Sequence, residues 1–355
     1  MIIHNFNAGP SILPKQVIRK SAQSVISFNK SGLSILEISH RSKDFMEIIE
    51  KTTELVKRIM NLNDDYSILF LQGGATLQFT MIPYNLMNKE AAYLDTGIWA
   101  NNAIKEAEKF GKVRILFSGK EKNYTYISKN YEIPNEVDYF HCTSNNTIVG
   151  TQMKTFPNTS SIPIVCDMSS DIFSRKLNFC QFSLIYASAQ KNVSSAGMTL
   201  VIVKKEILGK IKRNIPSYLD YIIHIKNNRI LNTPNVFSIY TSMLTLEWIE
   251  KKGGLSIIEK ENKHKAQLLY NEIDKNNLFE NKIHKEDRSN MNVTFFLKRK
   301  NLEKEFNKMW KKENIVGLDG HRYLGGYRAS VYNALSLDSV RFLIHLMKEF
   351  EKKFS

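Results

Sequence analysis

Short apolar runs alternate with stretches of helical periodicity from about residue 15 to residue 255. The runs at 68–71, 92–94, 139–142, 162–165, 184–187 and 198–203 have the length and unbroken apolarity of strands buried on both faces. Helical patterns include 101–110 and 234–251; the second carries Phe237, Tyr240, Met243, Leu244, Leu246 and Trp248 at helical spacing. This alternation predicts an α/β fold built on a mostly parallel sheet. Gly253-Gly254 closes the long helix and marks a boundary. Beyond it the pattern turns α+β, with a helix around 255–273, strand material at 291–297 and a closing helix from Leu337. In that last helix Leu337, Val340, Phe342, Leu343, Leu346, Met347 and Phe350 make one apolar stripe, which reads as core. The predicted organisation is an N-terminal segment 1–14, a large domain 15–255 and a small C-terminal domain 256–355.

Composition narrows the class. A chain of 355 residues, 43% hydrophobic and 24% charged, is ordinary for a soluble protein with room for two cores. No run approaches a membrane span, and Met1-Ile2-Ile3-His4-Asn5-Phe6 lacks a signal-peptide layout. Cys142, Cys166 and Cys180 form neither a metal-ligand spacing nor an even disulfide set, so no metal is expected and a reducing, cytoplasmic setting is. The net charge of +15 raises a nucleic-acid reading. Its lysines are spread along the chain, with only short clusters such as Lys298-Arg299-Lys300, and asparagine and isoleucine are plentiful too. A solvated lysine-rich surface is the better reading, one that would still steer an anionic substrate.

Candidate chemistry lies at the strand ends. In Tyr186-Ala187-Ser188-Ala189-Gln190-Lys191-Asn192 a lysine follows an apolar run at a junction where α/β proteins place ligands. Partial burial would lower its pKa and free the amine to form a Schiff base. Ile162-Pro163-Ile164-Val165-Cys166-Asp167 ends another run on a carboxylate. An amine and an acid so placed are the pair that pyridoxal 5'-phosphate needs, one for its aldehyde and one for its ring nitrogen. Gln72-Gly73-Gly74-Ala75-Thr76 joins a strand to a helix start, either a phosphate cup or a plain turn. No GxGxxG fingerprint and no Walker lysine is present. Trp99 could stack on a ring or belong to the core, and Thr147 could bond a ring oxygen or cap a helix. His40-Arg41 and the loop from Gly320 to Arg328, with His321-Arg322, are basic patches suited to carboxylate or phosphate.

In order along the chain, these segments resemble the phosphoserine aminotransferases, pyridoxal-phosphate enzymes of fold type I among the class V aminotransferases. The likeness includes Phe6-Asn7-Ala8-Gly9-Pro10-Ser11, Glu37-Ile38-Ser39-His40-Arg41-Ser42, Gln72 through Phe79, Thr96-Gly97-Ile98-Trp99 and Thr143 through Ile148. It continues in Asp167-Met168-Ser169-Ser170, Gln190-Lys191-Asn192, Asn232-Thr233-Pro234 and Arg328 through Asn333. The resemblance implies a seven-stranded, mostly parallel sheet flanked by helices, plus the smaller α+β domain. It implies transamination between phosphoserine and 2-oxoglutarate in serine biosynthesis, and in some relatives action on a phosphohydroxythreonine of pyridoxine synthesis. Lys191 would hold the cofactor aldehyde, Asp167 its ring nitrogen, Trp99 its ring face and Thr147 its O3'. Ala75, Thr76 and Gln190 would bind the cofactor phosphate, with Asn232 and Thr233 from the neighbouring subunit of a homodimer. Arg328 would take the substrate α-carboxylate, and His40, Arg41, His321 and Arg322 its side-chain anion. Ser194 and Ser195 stand where the family has glycine and proline. A cysteine desulfurase would need a cysteine late in the chain, whereas all three precede Lys191. An alanine–glyoxylate aminotransferase should lack the second anion site that the two His-Arg pairs suggest. A nucleic-acid binder would leave Asp167 and Lys191 unexplained.

Overall fold

A computed structural model describes residues 3–159 and 161–355. Seven strands form the main sheet: β1 (Tyr66–Leu71), β2 (Glu90–Asp95), β3 (Lys112–Ser118), β4 (Phe140–Thr143), β5 (Ile164–Asp167), β6 (Leu184–Ser188) and β7 (Thr199–Lys204). Their order is β1-β7-β6-β5-β4-β2-β3, and only β7 runs antiparallel to its neighbours. Helices cover both faces: α1 (Lys15–Ile26), α2 (Lys43–Met60), α3 (Gly74–Leu86), α4 (Ile98–Ala107), α5 (Tyr221–Lys226) and α6 (Val236–Lys251).

Burial on both faces explains the unbroken apolar runs. Successive strand residues point to opposite sides, so Ile185 and Ala187 of β6 enter one core while Leu184 and Tyr186 enter the other. All six strands expected from the apolar runs are present, each beginning within two residues of its expected start, and the seventh, β3, was unpredicted. It is an edge strand, and Lys112 and Arg114 interrupt its apolar pattern.

A second core surrounds a three-stranded antiparallel sheet of β8 (Phe279–Glu280), β9 (Asn292–Leu297) and β10 (Tyr327–Ser330). Helices α7 (Leu255–Lys275), α8 (Glu303–Lys312) and α9 (Leu337–Phe354) pack on it, and the α9 stripe is core as its spacing predicted. Phe6 and Ile12 join this second core, and His4–Asn5 pairs with Ile315–Val316. The start of the chain is therefore fastened to its last third. Among the described residues no helix is long and apolar enough to cross a membrane.

Candidate active site

Strand parity and register create the site. Thr143 of β4 pairs with Asp167 of β5, which pairs with Tyr186 of β6. In-register neighbours of parallel strands share a face, so Thr143, Asp167 and Ser188 all open towards α3 and α4 at the carboxyl ends of their strands. Here lies a cavity of about 150 Å³ lined by Ala75, Thr76, Trp99, Thr143, Thr147, Asp167, Ser188, Gln190 and Lys191, among others.

Lys191 stands just beyond β6, and its ammonium donates to the Thr147 hydroxyl at 2.7 Å. Burial brings its pKa down to about 8, against the opposing pull of the Asp167 carboxylate. Asp167 is 4% exposed, and burial pushes its own pKa up. The Ser169 backbone N–H, 2.8 Å from Asp167 Oδ1, and Lys191 work the other way. Arg328 leaves β10 towards the same place; its Nη1 donates to the Thr147 carbonyl at 3.4 Å, while its buried Nε has no partner. Trp99 opens α4 and is 37% exposed, leaving indole surface over the cavity uncovered by protein.

The Gly73-Gly74 turn departs in detail from a simple phosphate cup. Gly73 has φ +85°, and a Cβ there would lie 2.6 Å from Leu77, so this glycine serves the helix start itself. The Ala75 N–H donates to the Ser188 hydroxyl at 2.9 Å, making Ser188 a competitor or companion for any anion at this helix end. Asn232 and Thr233 are exposed and do not line the cavity. Instead the Asn232 amide donates to Gln72 Oε1 at 3.3 Å and Gln72 Nε2 donates to the Thr233 carbonyl at 3.4 Å.

The basic pairs divide. His321 lies close enough to Arg328 and Arg322 for both to depress its pKa, though burial does so more. Neither pair lines the cavity, and among the described residues no hydrogen bond or ion pair joins His40-Arg41 to His321-Arg322. The loop after Lys191 is held by hydroxyls at Ser194 and Ser195, the positions where the resemblance implied glycine and proline. Ser194 Oγ donates to the Ser238 carbonyl at 2.6 Å, the Ser195 and Ser238 hydroxyls meet at 2.8 Å, and Ser238 Oγ donates to the Ala196 carbonyl at 3.0 Å. On its other side Ser11 bonds the backbone of Gln190 and Lys191, the N–H at 2.9 Å and the hydroxyl at 2.5 Å. A Cβ on Gly9 would lie 3.3 Å from Lys191 Cγ, so the N-terminal segment packs directly on the lysine stem.

Sequence reading missed Thr143, Ser169 and Ser188, whose only signal is a small polar residue at a strand end. It also missed the buried Asp171–Arg175 pair at 2.9 Å, joined by Ser144, beneath Asp167. Pyridoxal phosphate suits these residues. A buried carboxylate and a lysine of lowered pKa share one cavity, an aromatic face is open above it, and a helix start adjoins it.

The chain matches the family described as Aminotransferase class-V over residues 3–343. A phosphoserine aminotransferase of Flavobacterium psychrophilum is 60% identical over 353 residues, covering 99% of both chains. The solved phosphoserine aminotransferase from Bacillus circulans subsp. alkalophilus superposes with TM-score 0.97 at 39% identity, covering 100% of this chain and 99% of that one. The pyridoxal-phosphate-bound enzyme from Trichomonas vaginalis gives 0.92 at 34% identity, covering 98% and 100%.

Proposed function

This chain belongs to the class-V aminotransferases, and from that membership we infer that the cavity around Lys191 is where an amino group changes hands. The enzyme is a pyridoxal-phosphate-dependent phosphoserine transaminase. O-phospho-L-serine and 2-oxoglutarate exchange amino group for keto oxygen, giving 3-phosphohydroxypyruvate and L-glutamate, a reaction of L-serine biosynthesis. The observation that carries this reading is the placing of Lys191 and Asp167 in one buried cavity.

When bound, the cofactor supplies an aldehyde that exchanges amines and a ring that withdraws electrons from the substrate α-carbon. The protein's residues do the rest. Lys191 would hold the cofactor aldehyde, and its free amine would carry a proton at the substrate α-carbon. Its pKa of about 8 keeps part of the amine basic near neutral pH. Asp167, whose charged form the Ser169 N–H and a cationic ring nitrogen both favour, would hold that nitrogen's proton. Trp99 would cover the ring and exclude water, Thr147 would hold O3', and Ala75, Thr76 and Gln190 would receive the phosphate. Arg328 offers its free Nε to the α-carboxylate. His321 and Arg322, with His40 and Arg41, receive the side-chain phosphate or the γ-carboxylate of glutamate. Phosphohydroxythreonine, which presents the same two anions, is a further candidate substrate.

The working unit proposed is a cytoplasmic homodimer in which Asn232 and Thr233 complete the neighbour's phosphate site. Ile18, Ile26, Leu33 and Leu36 support it: each is apolar and at least half exposed, on α1 and on the loop leading to His40. The proposed division is an N-terminal segment 1–14, a large domain 15–255 and a small domain 256–355; within the segment His4–Asn5, Phe6 and Ile12 pack against the small domain, and Ser11 bonds the loop at Lys191.

Borohydride treatment of the cofactor-loaded protein, followed by peptide mass analysis, tests the reading. The reduced adduct belongs on Lys191. Its appearance elsewhere, or a failure to take up the cofactor, would reject the site.

A further inference from the structure

Thr143 has no part in the roles described so far, yet its place is unusual. It ends β4 directly beside Asp167 in register, on the same face of the sheet. Its side chain lines the cavity and is 2% exposed, and its hydroxyl has no hydrogen-bond partner in the structure. A buried hydroxyl left unpaired costs free energy, so such groups persist where some state of the protein uses them. The neighbours narrow that use. Thr147 already receives the Lys191 ammonium, and Ser188 receives the Ala75 N–H. The Asp167 carboxylate takes the Ser169 N–H on Oδ1 and feels the Ser169 hydroxyl as well, while among the described residues no hydrogen bond ends on its Oδ2. A carboxylate has lone pairs on both oxygens, and a donor on the second would favour its charged form. One staggered step about the Thr143 Cα–Cβ bond re-aims the hydroxyl without moving the backbone.

We propose that Thr143 is a positioning residue for Asp167: its hydroxyl donates to the free carboxylate oxygen and holds that carboxylate charged and aimed when a cationic ring nitrogen enters beside it. The inference rests on the cofactor reading above. It assigns the orphan hydroxyl to the loaded state and predicts that its loss is felt on binding more than on folding.

The experiment compares wild-type protein with Thr143→Val, which keeps the shape and removes the hydroxyl, and with Thr143→Ser, which keeps the hydroxyl. Each is stripped of cofactor and titrated with pyridoxal 5'-phosphate, following tryptophan fluorescence, and melted with and without it. Thr143→Val should melt no lower than wild type when cofactor-free. It should bind pyridoxal phosphate about tenfold more weakly, the scale of a lost hydrogen bond to a charged group, and gain less melting temperature on loading. Thr143→Ser should restore both. Equal affinity in Thr143→Val and wild type would overturn the proposal, as would an equal loss in Thr143→Ser, which would assign the effect to the methyl group. If Thr143→Val does not fold, Thr143→Ala measured against Thr143→Ser carries the same comparison. Wild-type protein that takes up no pyridoxal phosphate would instead bring down the cofactor reading, and this inference with it.

Discussion

Lys191 is held in two minds by its surroundings. The cavity disfavours its charge, and Asp167 favours it. Its pKa of about 8 lies below the ordinary lysine value of 10.5, so the native state sheds its proton before the unfolded chain does. Between those values the unfolded state binds more protons, and stability contributed through this group rises with pH. Below about 8 the full cost of the buried ammonium is present. Lys191→Ala in the cofactor-free protein should therefore melt at or above wild type at pH 7, with the gap narrowing towards pH 10. Circular dichroism melts at the two pH values check this. In the same variant transamination should fall by at least the order of 10²–10⁴-fold that a positioned general acid–base contributes. Near-wild-type turnover would remove Lys191 from the chemistry.

Arginines can be separated at the same scale. Arg328 is half-buried with a free Nε, whereas Arg322 and Arg41 are exposed. Arg328→Ala should weaken every amino acid substrate, by about 2–5 kcal/mol in kcat/KM if its charge partner is desolvated. Arg322→Ala and Arg41→Ala should hurt phosphoserine most, glutamate less and alanine scarcely. A uniform loss across the three substrates would mean that these residues do not read the side-chain anion.

Elements carry these side chains to one point by unlike means. Trp99 is set by the start of α4, where Gly97 packs against Asn146 so closely that a Cβ would lie 2.6 Å from Asn146 Oδ1. Asn146 in turn bonds Thr96 at 3.2 Å and Thr151 at 3.1 Å. Gly97→Ala must push these apart, at about 1–3 kcal/mol, and shift both Trp99 and the adjoining Thr147. Cofactor affinity measured by titration should drop with the stability; a variant that lost stability alone would separate the two. The Lys191 loop depends on hydroxyls instead. Ser238→Ala leaves Ser195 and the Ala196 carbonyl without their contact and should cost about 1–3 kcal/mol. A urea midpoint that falls at constant m would report it.

How much of this was readable beforehand follows from the same elements. The β4, β5 and β6 runs are apolar on both faces, so they stood out, and Asp167 and Lys191 stood out as the first charges beyond them. Edge strand β3 did not, since one neighbour leaves Lys112 and Ile115 in water. Thr143, Ser169 and Ser188 left no trace in hydropathy, because a hydroxyl at a strand end looks the same whether it binds, caps or idles. Roles for the residues far apart in sequence came from resemblance alone; spacing says nothing of what Arg328 and Thr147 share.

At the scale of the molecule, the N-terminal segment ties the parts together. Phe6 sits in the second core, Tyr332 donates to the Ala8 carbonyl at 2.8 Å, and Ser11 bonds the backbone at Lys191. Arg328 and Lys191, which come from different sheets, thus share one strap of chain. The large positive charge lies over this framework as solvated lysine, and long-range steering of doubly anionic substrates is the effect it should have.

The exposed Asn232-Thr233 pair, anchored to Gln72 outside its own cavity, turns the arrangement of subunits into a question of arithmetic. Take one population of chains bearing Lys191→Ala and another bearing Asn232→Ala with Thr233→Ala, each inactive alone. If the pair serves the neighbour's site, a mixed dimer gathers both lesions into one site and leaves the other whole. Equal parts, unfolded and refolded together, would then recover about a quarter of wild-type activity, since half the dimers are mixed and each has one good site. If the pair serves its own chain, every site keeps one lesion and the mixture stays silent.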